Sequence, residues 1–297
     1  MVSVIIPSYN RSKSLAECLS ALNLQETILY YEVLVIDDGS QVPLTDHINT
    51  LKFHFPLRIL RQENQGPAAA RNYGVQEAQG EIILFTDDDC QPHKHWVQSM
   101  ADAVKPQVMV GGLTKNALDS NPYSMASQWL IDAIYTYFEG TRLFFLTSNN
   151  MACRKDDFLK IGGFDASHFE TSAGEDREFT TRWIYKGWEV MLNRDAYIDH
   201  YHPQTLTSFY RMHSKYGSAA VAYWASVQGL ENQMNDEVKK ALKASKWPFQ
   251  IYVLLFPWRQ TINGKFGFGS KLRLSVLLML SQVFNIIGYC SKKLSLT

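Results

Sequence analysis

The chain has 297 residues, of which 46% are hydrophobic, enough to bury the core of one large domain or two modest ones. Basic and acidic side chains both number 29, so the mean charge points to no partner. Nucleic-acid binding is disfavoured because the basic residues concentrate in an apolar tail and not on a polar groove. The charge is unevenly distributed, because residues 238–297 carry ten Lys or Arg and no Asp or Glu. An acidic body is therefore followed by a basic, aromatic-rich tail.

Four scattered cysteines, without CxxC spacing or the density of a secreted scaffold, predict reduced thiols in a cytosolic protein. The first residues, "VSVIIP", also lack the basic region and long apolar stretch of a signal peptide. A cytoplasmic location is the expectation that follows. Cys90 lies beside three aspartates, where it is either a metal ligand or a packing residue, the commoner role of a single cysteine.

Along the first half of the chain, short β-branched runs alternate with helix-like segments. Residues 14–17, "SLAE", fit a capping box, and residues 66–80 predict a second helix with Pro67 near its start. Strands are predicted at 2–7, 32–37, 57–60 and 81–87. This alternation predicts an α/β fold with a mostly parallel, doubly wound sheet, which binds ligands at the carboxyl ends of its strands.

The second half of the chain is less regular. A strand is predicted at 107–112, and two strands flanking a turn are predicted at 189–193 and 196–199. The stretch from 112 to 145 is aromatic and compatible with helix, and the pattern becomes helical again after Gly217.

The basic tail ends in two apolar segments, at 249–258 and 274–289. The first is too short to span a bilayer, and the second contains four polar residues within about the minimum spanning length. Lysine and arginine bracket the second segment, which suits a helix lying in the interface of an anionic membrane. A helix buried against the body or a partner subunit is the alternative.

Three adjacent carboxylates follow the fourth predicted strand. Asp87, Asp88 and Asp89 repel one another by roughly 4 kcal/mol per close pair in a partly buried setting, so they need a positive partner. A divalent cation such as Mg²⁺, with phosphate oxygens as further ligands, would provide it. In an extended chain Asp87 and Asp89 share a face, which predicts that these two act together. A solvated acidic turn is the alternative.

Several blocks follow one another in order along roughly residues 1–217: "VSVIIPSYNR", "EVLVIDDGS", "ENQGPAAARNYG", "GEIILFTDDDC", "SNNMACRKDDFLKIGGFD", "GEDREFTTRWIYKGW" and "DHYHPQTLTSFYRMHSKYG". Together they resemble family 2 glycosyltransferases. The resemblance implies the GT-A fold: a Rossmann-like, mostly parallel sheet flanked by helices, here with a helical C-terminal extension. The implied domains are 1–217, with a nucleotide-sugar-binding half (1–111) and an acceptor-binding half (112–217), and an extension at 218–297.

The resemblance also implies which residues bind the donor. Asp87, Asp88 and Asp89 match the DxD motif, whose acidic side chains hold Mn²⁺ or Mg²⁺ against the donor diphosphate and contact its ribose. The remaining matches are Asp38 at the position that reads uracil, Pro7 and Tyr9 beside the base, and Arg71 near the phosphates. For Asp38 a turn-forming role is the alternative, because Asp-Gly favours turns by itself.

The segment "GED" at 174–176 resembles the family motif whose aspartate acts as general base on the acceptor hydroxyl. Asp176 is the predicted base and Glu175 its positioning partner; an N-cap role for the carboxylate of Asp176 is the alternative. In "FTTRW" Phe179 stands where processive members carry glutamine, which argues against a processive polymerase. His200 matches, better than His202, a family histidine that completes the metal site, and Asn149 and Asn150 are guessed to line the acceptor side.

The resulting prediction is an inverting, metal-dependent glycosyltransferase that uses a nucleotide-diphosphate sugar, with UDP as the expected nucleotide. The acceptor is expected to be a saccharide or a lipid-linked molecule in polysaccharide or glycoconjugate assembly. Two alternatives stay open: a nucleotidyltransferase on a similar α/β sheet, and a non-catalytic protein that binds sugar nucleotides.

Overall fold

The computed structural model describes residues 1–48, 51–141, 143–169, 173–231, 236–259 and 266–296. Contacts between residues divide the chain into two compact units. Unit 1 comprises Met1–Lys115 and Leu146–Tyr201, and unit 2 comprises Asn116–Phe145 and His202–Thr297. The sequence analysis expected residues 116–145 in the acceptor-binding half of a domain that ends at residue 217. In the structure these residues group with the C-terminal helices.

Unit 1 is built on an eight-stranded mixed sheet with the strand order β3-β2-β1-β4-β7-β6-β8-β5. The strands are β1 (Val2–Ser8), β2 (Tyr31–Asp37), β3 (Leu57–Arg61), β4 (Ile82–Thr86), β5 (Cys90–Pro92), β6 (Val108–Asn116), β7 (Asn150–Arg154) and β8 (Glu189–His200). The helices are α1 (Ser12–Leu22), α2 (Thr45–Ile48), α3 (Pro67–Glu77), α4 (Trp96–Ala103), α6 (Lys155–Ile161) and α7 (Glu175–Tyr185).

The first four strands confirm the predicted α/β class. β3, β2, β1 and β4 are parallel neighbours, each placed within a residue or two of its predicted bounds. Their β-branched side chains are buried because helices cover the sheet; Val4, Ile6 and Val35 share one core cluster with Leu15 and Leu19 of α1. β7 then adds antiparallel to β4, so the sheet is mixed beyond that point.

Pro7 explains why β1 and β4 separate at their carboxyl ends. The pairing of β1 with β4 ends at Ile5 and Phe85, whereas the pairing of β1 with β2 continues to Ser8. Because proline has no N–H to donate, it suits the stretch where the ladder toward β4 has stopped. A crevice between the two strand ends follows.

Three local predictions were wrong. α1 begins at Ser12 with Arg11 in the N-cap and no side-chain cap, so the capping box at 14–17 does not form. The residues 189–200 form one continuous strand instead of two strands around a turn. The last helical region begins at Leu206, before Gly217, because the polar loop "HPQT" marks the actual boundary.

Unit 2 consists of four long helices: α5 (Pro122–Phe138), α8 (Leu206–Glu231), α9 (Asp236–Arg259) and α10 (Phe268–Leu294). Their shared core contains Trp129 and Phe209 together with Leu277 and Leu278 of α10. α8 and α10 approach very closely, since a Cβ on Gly288 would lie 1.8 Å from the carbonyl oxygen of Ser214. All four basic residues of 238–247, and Lys265, lie outside the residues whose side chains the structure describes.

Candidate active site

The polar segments predicted at the strand ends meet at one edge of the unit 1 sheet. The strand order reverses between β1 and β4, and open α/β sheets bind their ligands in the crevice at such a point. The chain leaves β1 through Ser8 and Arg11, and it leaves β4 through Asp87, Asp88 and Asp89. We call these three aspartates the acidic turn.

The acidic turn does not continue the alternation of β4. The strand ends at Thr86, and the N–H of Cys90 donates to the carbonyl oxygen of Asp87 at 3.1 Å, which closes a turn. The extended-chain geometry from which Asp87 and Asp89 were predicted to share a face therefore does not hold. Instead, Nη1 of Arg11 lies 3.1 Å from Oδ1 of Asp88 and 2.8 Å from Oδ2 of Asp89.

Asp88 is the most deeply buried carboxylate of the acidic turn. Its Oδ2 accepts a hydrogen bond from the hydroxyl of Ser8 at 2.6 Å. Burial raises the pKa of Asp88 to about 6, although Arg11 and the hydroxyl of Ser8 favour the ionised form. Arg11 thus supplies part of the positive charge that the sequence analysis expected from a metal ion.

A second arginine, Arg71 on α3, joins the acidic turn to α7. Its Nη2 lies 2.6 Å from Oδ1 of Asp87, and its Nη1 lies 3.2 Å from Oε1 of Glu175. Arg71 and Glu175 are both buried, whereas the side chain of Asp87 is 29% exposed. Nε of Arg71 and Oε2 of Glu175 are buried without a hydrogen-bond partner among the described residues. Such unsatisfied polar atoms are typical of a site that binds a polar ligand or water.

Asp176 stands in the first turn of α7, beside Glu175. Gly174 occupies the N-cap in a left-handed conformation (φ 92°), so the alternative that Asp176 caps the helix is wrong. Its Oδ1 accepts from the N–H of Arg177 at 2.7 Å, and its Oδ2 accepts from the N–H of Ser148 at 3.4 Å. Burial and the neighbouring carboxylate of Glu175 raise the pKa of Asp176 to about 7. A carboxyl group with that pKa can exchange protons near neutral pH.

Asp89 and His200 form a pair of groups that fits a divalent cation. His200 ends β8 opposite Cys90 of β5, which places its Nε2 3.4 Å from Oδ1 of Asp89. Burial lowers the pKa of His200, but the hydrogen bond and charge of Asp89 outweigh it and raise the pKa above its usual value. Carboxylate oxygen and imidazole nitrogen are donors that Mn²⁺ accepts. His202, the other histidine considered, belongs to unit 2, where its carbonyl oxygen accepts from the hydroxyl of Ser124.

The predicted base-binding residues follow β1 and β2. Tyr9 is 45% exposed, whereas Pro7 is buried within β1. Asp38 is buried and accepts from Nε2 of Gln62 at 2.7 Å and from the N–H groups of Gln65 and Gly66, both at 2.9 Å. Asp38 therefore holds the loop between β3 and α3. Within "DDGS" the local turn is bonded by Asp37 instead, whose Oδ1 accepts from the N–H of Ser40 at 2.9 Å. About one of the four acceptor positions of the Asp38 carboxylate remains for a ligand.

Other singled-out residues have structural roles. Asn150 is buried, and its amide bonds Nε1 of Trp96 at 2.8 Å and the carbonyl oxygen of Leu113 at 3.0 Å, so it does not line the acceptor side. Burial raises the pKa of the Cys90 thiol well above its usual value, which favours packing over metal binding. Phe179 packs in the core against aromatic rings, including that of Trp183.

Sequence reasoning missed Ser8, Arg11 and Ser148 as members of the site. Ser8 and Arg11 could have been found from their position at the end of β1, because the strand order places β1 beside β4. Ser148 carries no such signal, since it contributes only a backbone N–H to Asp176.

Comparison with solved structures identifies the fold. The fold is similar to a mannosyltransferase from Pyrobaculum calidifontis, solved with GDP-Man and Mn²⁺ (TM-score 0.59, 17% identity, covering 100% of this chain and 80% of that one). It is also similar to residues 1–349 of S. aureus TarS, solved with UDP-GlcNAc (TM-score 0.56, 16% identity, covering 99% of this chain and 90% of that one). The fold is therefore the GT-A fold of glycosyltransferases, as the resemblance implied.

The sequence match is more specific than the fold. Residues 3–162 match the family model described as glycosyl transferase family 2, and the chain belongs to that family. Among curated proteins, it is 39% identical over 101 residues to glycosyltransferase AglE of Haloferax volcanii (33% of each chain). It is 27% identical over 209 residues to a chondroitin synthase of Escherichia coli (63% of this chain, 29% of that one). The chain thus spans about a third of the length of these relatives.

Proposed function

We propose that the protein is an inverting glycosyltransferase that moves a sugar from a nucleotide-diphosphate donor to an acceptor hydroxyl. The observation that carries the proposal is the position of Arg71. One buried guanidinium contacts Asp87 of the acidic turn and Glu175, the neighbour of Asp176. The predicted donor-binding and base residues are thereby held at the same edge of the sheet.

The chemistry assigns a separate task to each group. Asp176 accepts the proton of the acceptor hydroxyl, whose oxygen attacks the anomeric carbon from the face opposite the diphosphate. Asp89 and His200, with Asp87 as the third predicted ligand, would hold a divalent cation, and such a cation would neutralise charge on the departing diphosphate. Glu175 positions α7 through Arg71. Residues 1–111 are proposed to bind the donor and residues 112–217 the acceptor, a saccharide or lipid-linked molecule in polysaccharide or glycoconjugate assembly.

UDP is the proposed donor nucleotide because of the hydrogen bonds of Asp38. The loop between β3 and α3 already donates three hydrogen bonds to this carboxylate, which leaves room for about one more. Uracil presents one ring N–H, whereas guanine presents a ring N–H and an amino group side by side. The exposed ring of Tyr9 offers a surface on which either base stacks.

A panel of nucleotide sugars with Mn²⁺ tests the proposal. We expect release of UDP from a UDP-sugar in the presence of acceptor saccharides, loss of release with EDTA, and inversion at the anomeric carbon by NMR. A nucleotidyltransferase would instead form pyrophosphate from a nucleoside triphosphate and a sugar phosphate. A non-catalytic binder would bind the donor and release nothing, and either result would contradict the proposal.

We further propose a cytoplasmic protein held peripherally at the inner face of the cell membrane by α10. In the described part of the chain, α10 is the one helix long and apolar enough to cross a membrane, judged by length and composition alone. Its Leu274, Leu277 and Leu278 are buried in the core of unit 2. A helix with one face packed in protein is better suited to lie along a membrane surface than to span it.

The opposite face of α10 is an exposed apolar stripe. From 268 to 286 its side chains recur every three or four residues, and all members are 41 to 74% exposed: Phe268, Leu272, Val276, Met279, Val283, Ile286, Ile287 and Leu294. Trp258 of α9 extends the stripe by packing on Phe268, with ring centroids 5.2 Å apart. A contiguous apolar surface of this length, about 40 Å for 27 helical residues, is typical of a binding surface.

The charges of α10 favour an anionic lipid surface as the partner. Lys271 and Arg273 lie near its start, Lys292 and Lys293 lie near its end, and the helix contains no acidic residue. A second copy of the chain would bring basic ends together in either orientation, whereas anionic headgroups attract them. The apolar stripe and its basic ends together match a helix in the membrane interface.

We expect the protein to sediment with vesicles containing anionic lipid and to remain in solution with neutral vesicles. Replacing Lys292 and Lys293 by glutamine should weaken binding roughly 30-fold, at about 1 kcal/mol per lysine. The matched control replaces Lys13 and Lys52, which are exposed lysines of unit 1. Cys290 on α10 is exposed while Cys18, Cys90 and Cys153 are buried, so one environment-sensitive label reports insertion. Equal binding to neutral vesicles, or none to anionic ones, would refute the membrane proposal.

A further inference from the structure

The two arginines of the site contact the acidic turn in different ways. Arg71 is buried and bound between two carboxylates. The side chain of Arg11 is 48% exposed, and a single nitrogen, Nη1, contacts both Asp88 and Asp89. The carboxylates of Asp88 and Asp89 are buried, but the guanidinium of Arg11 is half in solvent and can leave them without crossing the protein interior, whereas that of Arg71 is enclosed. Arg11 is therefore the replaceable cation of the site.

The backbone at Arg11 is fixed while its side chain is long. The preceding residue, Asn10, has a left-handed conformation (φ 56°), and its N–H donates to the hydroxyl of Ser40 at 2.9 Å. Its side-chain oxygen accepts from the N–H of Gln41 at 2.8 Å. Reorientation of Arg11 thus needs only rotation about side-chain bonds, with no change in the loop.

Arg11 and the histidine of the cation pair approach the same carboxylate. Arg11 contacts Oδ2 of Asp89, and His200 faces Oδ1. A divalent cation bound by Asp89 and His200 repels a guanidinium at this distance, because like charges a few ångströms apart in a half-buried site interact by several kcal/mol. A diphosphate beside that cation attracts the guanidinium, whose planar fork matches phosphate oxygens.

We propose that Arg11 is an exchanging cation: it neutralises Asp88 and Asp89 before the donor binds, and it transfers to the donor diphosphate when a divalent cation binds Asp89. This inference rests on the proposed function and names a further donor-binding residue. It requires Arg11 to oppose the binding of the metal alone and to favour the binding of diphosphate. A residue that only supports the fold cannot have these two effects of opposite sign.

The experiment compares Arg11→Gln with the wild-type chain at pH 8, above the pKa of about 6 of Asp88. Free Mn²⁺ is measured by EPR during a titration without nucleotide, and UDP affinity is measured calorimetrically at saturating Mn²⁺. We expect Mn²⁺ alone to bind up to about fivefold more tightly, since a partly exposed competing ion pair is lost. UDP should bind about 10- to 100-fold more weakly, since charge-assisted hydrogen bonds are lost.

Two further variants make the outcomes decisive. Arg58→Gln removes an arginine of β3 that pairs with Glu32 and Glu77 and contacts no residue of the acidic turn in the described structure, so it should change neither affinity. Arg11→Lys keeps the charge without the fork, so its UDP affinity should lie between wild type and Arg11→Gln. If Arg11→Gln weakens Mn²⁺ binding, or leaves UDP affinity unchanged, the inference is overturned. If the wild-type chain binds neither Mn²⁺ nor UDP, the proposed function itself fails, which is a distinguishable result.

Discussion

Replacing Asp176 with asparagine is expected to lower the rate of sugar transfer by about 100- to 10,000-fold and to leave donor affinity nearly unchanged. Asparagine keeps the size of the side chain, and its oxygen can accept from the N–H of Arg177. Its amide nitrogen replaces only the oxygen that accepts from the N–H of Ser148 at 3.4 Å. Asparagine cannot take a proton from the acceptor hydroxyl. The measurement is the initial rate of UDP release with acceptor present, alongside calorimetric donor binding.

The pH dependence of the same reaction gives a second readout. The pKa of Asp176 is raised to about 7, and the base must be ionised, so transfer should rise with pH and reach half of its plateau near pH 7. The residual rate of the Asp176→Asn variant should lack this rise. A profile in the wild-type chain that is flat from pH 5 to pH 9 would assign the base to another group.

Stability should change in the direction opposite to activity. Because the pKa of Asp176 in the folded chain lies above the ordinary aspartate value of 3.8, ionisation opposes folding, and stability falls as the pH rises from about 4 toward 7. The Asp176→Asn variant should therefore unfold at a higher temperature than wild type at pH 8. The control is Asp102→Asn on α4, an exposed aspartate bound to Gln98, which should change neither property. Unchanged transfer by Asp176→Asn would refute its role as the base.

The sequence was sufficient for the first half of the sheet, where buried β-branched runs alternate with helices and local pattern alone determines the element. It was less informative for β8, whose "NRD" residues resemble a turn although the strand continues through them. The close approach of α8 and α10 was equally invisible, because Gly288 is informative only once Ser214 is known to face it.

The sequence predicted that polar residues meet at the strand ends. It did not predict which of these residues form ion pairs and hydrogen bonds with one another. The three aspartates were correctly read as needing positive charge, but Arg11 lies 77 and 78 residues from the carboxylates it contacts. Arg71 was placed near the phosphates by resemblance, whereas its contact with Glu175 spans 104 residues. Long-range ion pairs leave no local pattern, since either partner alone looks like an ordinary surface charge.

Replacing Arg71 with methionine is expected to destabilise the protein by about 3–5 kcal/mol, the largest stability effect among the charged residues of the site. Arg71 and Glu175 are both buried, so removal of the guanidinium leaves the carboxylate of Glu175 without compensation. Chemical denaturation monitored by circular dichroism measures the change as a shift in midpoint. The control is Arg273→Met, since Arg273 is exposed on α10 and its loss should cost at most about 1 kcal/mol.

A double variant separates the lost ion pair from lost packing. Arg71→Met combined with Glu175→Gln removes the buried charge that would otherwise stand alone, while Asp87 is 29% exposed and remains solvated. The double variant should therefore recover most of the stability lost in Arg71→Met, with an interaction energy of about 0.5–3 kcal/mol in the cycle. If the stability losses of the two single variants simply add in the double variant, Arg71 stabilises the fold through packing. Its guanidinium carbon lies 5.9 Å from the centre of the ring of Phe164, which offers such a contact. Glu175 directly precedes Asp176 in α7. If the double variant regains stability but not the rate of sugar transfer, the ion pair of Arg71 with Glu175 positions the base in addition to stabilising the fold.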